Sequence, residues 1–360
     1  MATGQDVHEN IKKYYGSQLG TSCDLQTSAN SCSRPSSLPQ SVREALSLVH
    51  PEVINKFFGC GLPFPAKLEE CRVLDLGSGS GRDCFAFSKL VGPNGHVTGI
   101  DVTKEMISVS QQYIQYHQEK FGYCKPNVTF LQGYMEKLKD AGLQNDSFDV
   151  VLSNCAICLS PDKLSALKEA YSVLKEGGEL YFSDMYASKP VPDHMKQDPV
   201  LWGEGMAGAL CWQDLVSLAL SVGFSSPYLV SASHIIVYNE ELRVKAEDIQ
   251  YVSATYRLFK LPKNPVSAEA TVTYKGTIKE FQDQLNFDSL HCFKKAIPNK
   301  VNGEMALILQ SSRFSHDFEI EILDIPNTCS RSSQQNCHLD PFLLADKLGS
   351  SVKQCSKTCK

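Results

Sequence analysis

What the sequence lacks narrows its possible roles before any motif is read. No apolar span approaches the roughly 18 residues that a membrane helix needs, and the start, Met1 to Asn10, has neither the cationic lead nor the apolar run of a secretory leader. A soluble, cytoplasmic protein without a membrane partner is expected. Basic excess is also missing: 35 Lys and Arg stand against 40 Asp and Glu, for a net charge of -5. Phosphate-backbone binding requires such an excess, so no nucleic-acid partner is expected and a small substrate is favoured. The fourteen cysteines are scattered, without the paired CxxC…CxxC spacing of a structural zinc module. In a reducing compartment most of them are free thiols. The informative question is which of them converge on a cleft to hold a soft ligand.

With 360 residues, 42% hydrophobic and 21% charged, the chain can bury one full α/β domain and a smaller companion. Residues 1–70 read as a loop-rich N-terminal segment containing the polar stretch Thr27 to Ser37, whose composition suggests mobility. Within it Gly59 and Gly61 bracket Cys60 and permit a sharp turn that displays the thiol. From Arg72, short apolar runs alternate with helical segments, the pattern of βαβ units on a parallel sheet. Strands are predicted at Val73–Leu76, His96–Ile100, Val128–Leu131, Phe148–Ser153 and Glu179–Phe182. Helices are predicted at Asp83–Leu90, Lys104–Phe121 and Asp162–Leu174, the last stopping at Gly177-Gly178. A helix at Trp212–Val222 leads to Tyr228–Val237, which would complete a doubly wound α/β sheet spanning 71–240. Residues 241–325, with strand-like Ala270–Tyr274 and Phe318–Leu323, form a smaller α+β C-terminal domain. Residues 326–360 are a mobile cysteine-containing tail.

Chemistry enters at Asp75-Leu76-Gly77-Ser78-Gly79-Ser80-Gly81, which follows the first strand and opens a helix. Gly77, Gly79 and Gly81 let the backbone approach a ligand that side chains would exclude. A dinucleotide fingerprint needs its third glycine where this chain has Arg82, whereas the acidic-x-GxGxG form suits a nucleoside carrying an amino acid. About 20 residues later a second strand should end in a carboxylate for ribose hydroxyls, and Asp101 stands there. Glu136, in the loop after the third strand, is available to an exocyclic amine, or is simply a solvated charge. At the end of the fourth strand Asn154 and Cys155 should face the cleft, because ligands of open α/β sheets bind beyond the strands' carboxyl ends. A single cysteine is more often a small buried hydrophobe than a ligand.

Taken together, Asp75–Asp83, Gly99-Ile100-Asp101, Gly133–Leu138, Val151–Cys155, Gly178–Asp184, Leu201–Glu204, Val252–Lys260 and Ser312-Arg313-Phe314 resemble the arsenite methyltransferases of animals, across nearly the whole chain. The cofactor motifs are generic to methyltransferases; the other segments are particular to this family. The resemblance implies S-adenosylmethionine as cofactor, arsenite or its glutathione conjugate as substrate, and glutathione or thioredoxin as the thiol reductant. It implies arsenic-site thiols at Cys60 and Cys155, with Cys32 serving redox exchange from the N-terminal loop, in a protein expected to be monomeric. Such chemistry is physically coherent: trivalent arsenic is soft, prefers thiolates, and carries a lone pair that can attack a sulfonium methyl without a general base. One departure stands out. The family places a further arsenic-binding cysteine directly after tryptophan-glycine-glutamate, and here Trp202-Gly203-Glu204 is followed by Gly205. Cys158, in Cys155-x-x-Cys158, and Cys211 are the nearby cysteines that could compensate, although both are ordinary packing residues in many folds. Two other readings remain open on sequence alone: an arsenic-binding protein with weak or lost turnover, and a methyltransferase acting on another small molecule.

Overall fold

The computed structural model describes residues 3–30, 38–263, 268–323 and 337–349. Helices α1 (Gly4–Lys13), α2 (Gln40–Ser47) and α3 (Pro51–Asn55) precede the sheet. Strands β1 (Arg72–Leu76), β2 (His96–Asp101), β3 (Val128–Gln132), β4 (Phe148–Asn154) and β5 (Leu174–Ala187) alternate with α4 (Arg82–Val91), α5 (Lys104–Gln112), α6 (Ile114–Phe121) and α7 (Lys163–Val173). Next come α8 (Pro199–Gly203), the short β6 (Leu210–Cys211), α9 (Trp212–Val222), β7 (Tyr228–His234), α10 (Glu240–Lys245) and β8 (Tyr251–Phe259). The remainder comprises β9 (Ala270–Tyr274), β10 (Gln284–Asn286), β11 (Cys292–Lys294), β12 (Pro298–Val301), α11 (Gly303–Ser311), β13 (Phe318–Ile322) and α12 (Pro341–Leu348).

The main sheet runs β3-β2-β1-β4-β5-β8-β7, with β6 beside the end of β5. β1 to β5 pair in parallel, and β8 lies antiparallel to both β5 and β7. Its inner strands bury both faces, as a sheet covered by helices on each side must, while the edge strands β3 and β7 expose alternate residues. Leu74 and Leu76 join α7, α9 and α12 in one core, while Val73 joins α2, α4 and α5 in the other. The order reverses between β1 and β4, so the ligand crevice of such a sheet belongs beyond those two strand ends.

Several expectations change here. The sheet does not end at residue 240: β8, placed by the sequence in the C-terminal domain, is inserted between β5 and β7. Its period-2 pattern explains why. Val252, Ala254, Tyr256 and Leu258 enter the apolar core, and the alternate polar residues all meet partners, Ser253 at the Cys60 carbonyl, Thr255 at Ser183 and Arg257 at Glu179. The third helix stops at Val173 and passes directly into β5, leaving Gly177 and Gly178 inside the strand. Gly177 takes φ +75°, and its N–H donates to the Lys260 carbonyl. The long predicted helix 104–121 breaks at Tyr113. In the tail, α12 is not loose: it docks on β7 and β8, with Ala345 in the core, Tyr256 donating to the Leu339 carbonyl and Asp346 bonded to His234. The start of the Thr27–Ser37 stretch is anchored too, Thr27 pairing with Val237 and Ser28 bonding Ile236. Cys32 lies outside the described residues.

The C-terminal unit packs β12-β9-β13 and α11 around its own core. It is fastened by Glu179, fully buried on β5, which pairs with Arg257 of β8 and with Arg313 after α11. Arg313 also donates to the Ala66 carbonyl, so residues before β1 are held by the same cation. Removing one partner of a buried ion cluster leaves charge uncompensated. Glu179→Ala is therefore expected to lower unfolding free energy by about 3–5 kcal/mol in urea titration; a loss too small to separate from wild type would show that the cluster does not hold the two units together.

Candidate active site

A cleft opens beyond β1 and β4, walled by residues of the glycine loop, α1 and the segment before β1. Its floor is formed by Asp75, Gly77, Ser78, Gly79, Ser80 and Asp83, while Gly81, predicted to join them, faces Phe130 and Ser110 instead of the cleft. Gly77, Gly79 and Gly81 all adopt positive φ, +73°, +51° and +88°. At Gly79 no atom lies within 4 Å of where a Cβ would be, so a side chain there would project into open space that the ligand needs. Asp101 closes the far side of the loop, its carboxylate accepting the N–H groups of Gly79 (2.9 Å) and Thr103 (2.7 Å). Each oxygen keeps a lone pair for a ligand hydroxyl. Burial pushes the Asp101 carboxyl up from its ordinary range.

Asp75 sits deeper. Burial, reinforced by the neighbouring Asp83 carboxylate, raises its carboxyl to about 7, although the Cys84 thiol donates to it. Asp75, Asp83, Asp101 and Glu136 all line the cleft. Four carboxyl groups around one pocket suit a cationic ligand and disfavour a pyrophosphate. Glu136 is not a free, solvated charge: it accepts from His8 of α1 (3.2 Å) and from Ser160. Burial works against its ionisation, but those two bonds outweigh it and hold the carboxyl below its ordinary value.

Asn154 faces the cleft as expected and makes hydrogen bonds that the sequence did not announce. Its carboxamide oxygen accepts the Gly61 N–H (3.0 Å) while its nitrogen donates to the Gly61 carbonyl (2.9 Å) and to Asp83 (2.8 Å). It lines the cleft, yet both of its donors are taken, one bracing the Cys60 loop through Gly61 and the other tying that loop to Asp83 on α4. That loop is clamped at its other end by Arg82, whose guanidinium lies 3.2 Å from the Phe57 ring centroid while pairing with Asp83. Gly59 and Gly61 are small because of crowding rather than backbone angle: a Cβ would stand 2.6 Å from the Asn154 carboxamide carbon at the first and 2.6 Å from the Ser183 Cβ at the second. Cys60 is consequently buried at 2% exposure, not displayed on a surface turn.

Cys155 follows β4 with φ +58°, a left-handed conformation that costs a non-glycine residue on the order of 1–3 kcal/mol and is tolerated where the surroundings impose it. Its N–H donates to the Ser183 carbonyl at 2.8 Å. Cys60 and Cys155, 95 residues apart in sequence, form a disulfide with a Cα–Cα distance of 5.5 Å. Cys158 is buried nearby and shares a hydrogen bond with Asp184, while Cys211 caps α9 outside the cleft. Sequence reasoning missed His8, Tyr15, Phe57 and Phe58, which wall the cleft. The signal for His8 was present: α1 places Val7 and Ile11 on one buried face, four residues apart.

Comparison with known proteins agrees in both halves of the chain. A methyltransferase-domain family model matches residues 67–225, and the model described as the arsenite methyltransferase C-terminal domain matches 267–360. The arsenite methyltransferase of Rattus norvegicus is 48% identical, over 98% of this chain and 94% of its own; that of Homo sapiens is 46% identical, over 97% and 94%. The crystal structure of an arsenic(III) S-adenosylmethionine methyltransferase from Chlamydomonas reinhardtii superposes with a TM-score of 0.75 at 44% identity, covering 79% of this chain and 97% of that one.

The elevated Asp75 carboxyl has a measurable consequence. With a folded value of about 7 against an ordinary 3.8, the folded chain retains a proton that the unfolded chain releases. Stability from this group is therefore full below 3.8 and declines as pH rises through 7. Asp75→Asn is expected to lose clearly less melting temperature than wild type between pH 5.5 and pH 8 in its cofactor-free form, with a residual slope from the buried Asp184 carboxyl, raised to about 6, and to bind cofactor more weakly. An unchanged pH slope in the variant would show that Asp75 is not the titrating group.

Proposed function

The chain belongs to the arsenite methyltransferase family, and from that premise we propose that Cys60 and Cys155 are the thiols that hold arsenic for methylation. The protein is an S-adenosylmethionine-dependent enzyme that transfers methyl groups to arsenite. Among the described residues no helix is long and apolar enough to cross a membrane.

The observation that carries the proposal is the pairing of Cys60 with Cys155 at the edge of the glycine-floored cleft. Two sulfurs close enough to bond each other can also bridge one soft atom once reduced. Gly77 and Gly79 with Asp75 and Asp101 would hold S-adenosylmethionine, and Glu136 would meet its adenine edge, a donor set fitted to a cationic nucleoside. When bound there, that cofactor supplies an electrophilic methyl on a sulfonium. The protein's own part is to strip water from arsenic and aim its lone pair along the line of transfer, the positioning contribution that needs no acid or base. Burial of Cys60 and the bracing of its loop by Asn154 serve that end.

Each transfer oxidises arsenic by two electrons. Those electrons come back from two thiols, which close to a disulfide, and an external dithiol or two small thiols then reopen it. Cys60 and Cys155 are one such pair; Cys32 is proposed as an exchange thiol that relays reducing equivalents from glutathione or thioredoxin.

Purified enzyme given arsenite, methyl-labelled S-adenosylmethionine and glutathione is expected to yield labelled methylarsenicals. Cys60→Ser and Cys155→Ser should each cut the rate by roughly a hundredfold or more, as misplacing the reacting atom does. Arsenite binding without product would convert the reading to a thiol sequestrant, and unaltered activity in both serine variants would point to a carbon, oxygen or nitrogen substrate.

A further inference from the structure

The disulfide that marks the arsenic site supplies only two sulfurs, and a pyramidal trivalent arsenic takes three ligands. Position 205, where the family resemblance leads one to look for the third, is glycine. The surroundings of that glycine are informative. It takes φ +80°, and the direction a Cβ would follow leads to the Cys158 Sγ at 3.3 Å, with the Met185 thioether close behind. A sulfur already occupies the space toward which a side chain at 205 would point.

Cys158 is 1% exposed and belongs to the same apolar cluster as Cys60, Met185, Trp202 and Met206. Its Sγ, the Sγ of Cys155 and a carboxylate oxygen of Asp184 all lie within 4.8 Å of one another. The short 3-10 turn Ile157–Leu159 that follows β4 brings this about, folding the chain back so that the third residue after Cys155 returns to it. Asp184, from β5, completes the group and takes the Cys158 thiol hydrogen bond.

We propose that Cys158 is the third arsenic ligand of this enzyme, closing a Cys60–Cys155–Cys158 trithiolate site in which the sulfur is carried by the turn after β4 rather than by position 205. The inference rests on the arsenic-binding role of Cys60 and Cys155. Of the neighbours, only Cys158 suits the metalloid: a carboxylate is a hard donor, so Asp184 remains a hydrogen-bond partner. Cys211, at the start of α9, stands outside this group, whereas Cys60 joins it through its bond to Cys155. The chemistry balances without a change of arsenic oxidation state. Small thiols first reduce the Cys60–Cys155 disulfide, themselves becoming a disulfide. The three protein thiols then displace three hydroxides from arsenous acid, forming three As–S bonds, and the thiol protons leave with the hydroxides as three waters.

Arsenic K-edge X-ray absorption counts the ligating sulfurs directly. The full chain is reduced with a phosphine, which is then removed so that no small thiol can enter the first shell, and loaded with one equivalent of arsenite. Three sulfurs are expected for wild type and for Cys211→Ala, two for Cys158→Ser. Arsenite should also bind Cys158→Ser more weakly by more than the roughly tenfold that even an outer-shell partner costs. Adding Gly205→Cys to Cys158→Ala should bring the count back to three. An unchanged S-adenosylmethionine affinity shows that the variants are folded. Two sulfurs in wild type, or three persisting in Cys158→Ser, would overturn the assignment of Cys158 while leaving the Cys60–Cys155 reading intact. Wild type binding no arsenic through sulfur would overturn both.

Discussion

The geometry of the site depends on a single carboxamide. Asn154 ends β4 and holds Gly61 by both its N–H and its carbonyl while donating its second amide hydrogen to Asp83. Among side chains of this size only an amide offers donor and acceptor together in fixed geometry; a carboxylate would face the Gly61 carbonyl with a second acceptor. Through that residue the Cys60 loop, the strand that presents Cys155 and the first turn of α4 become one rigid body. The glycine loop leads into that same turn, so the sulfur pair and the cofactor cleft are positioned against each other by contacts that neither ligand has to make.

Two buried carboxylates extend this arrangement outward. Glu204 accepts from the Tyr14 hydroxyl, the Gln26 N–H and the Thr27 hydroxyl, and thereby draws the N-terminal segment across the mouth of the cleft. Its α1 contributes His8 to Glu136. Glu179 performs the equivalent task at the other side through Arg257 and Arg313. Buried charge is costly unless every partner is in place, so each cluster favours one arrangement of chain segments that lie more than 70 residues apart in sequence. The N-terminal segment and the C-terminal unit are thus parts of the site's frame, although among the described residues the C-terminal unit contributes none to the cleft lining.

Much was legible in the linear sequence because it depended on local rules. The alternation of apolar runs and amphipathic stretches located β1 to β4 and α4 to within a residue or so, since side-chain periodicity is set by neighbours along the chain. Asp75, Gly77, Gly79 and Asp101 could be placed at the cleft from spacing alone, because a tight turn after a strand and a carboxylate at the next strand end are both short-range features. Cys155 could be placed at the cleft because position at a parallel strand's carboxyl end is itself informative.

What could not be read was decided by pairing over distance. β8 looks like any half-polar strand until Glu179, Ser183 and the Cys60 carbonyl are set opposite its polar positions, and α12 resembles a tail until β7 provides a surface. Asn154, expected at the cleft, lines it and also braces a loop 93 residues away, which no local pattern announces. The sequence by itself therefore determined a doubly wound sheet with a nucleoside-shaped floor and a set of candidate thiols. Only the tertiary structure decided which thiols meet, putting Cys60 on Cys155 and Cys158 beside Cys155 while leaving Cys211 apart, because sulfur proximity follows from how loops pack across strand ends and no local periodicity encodes that.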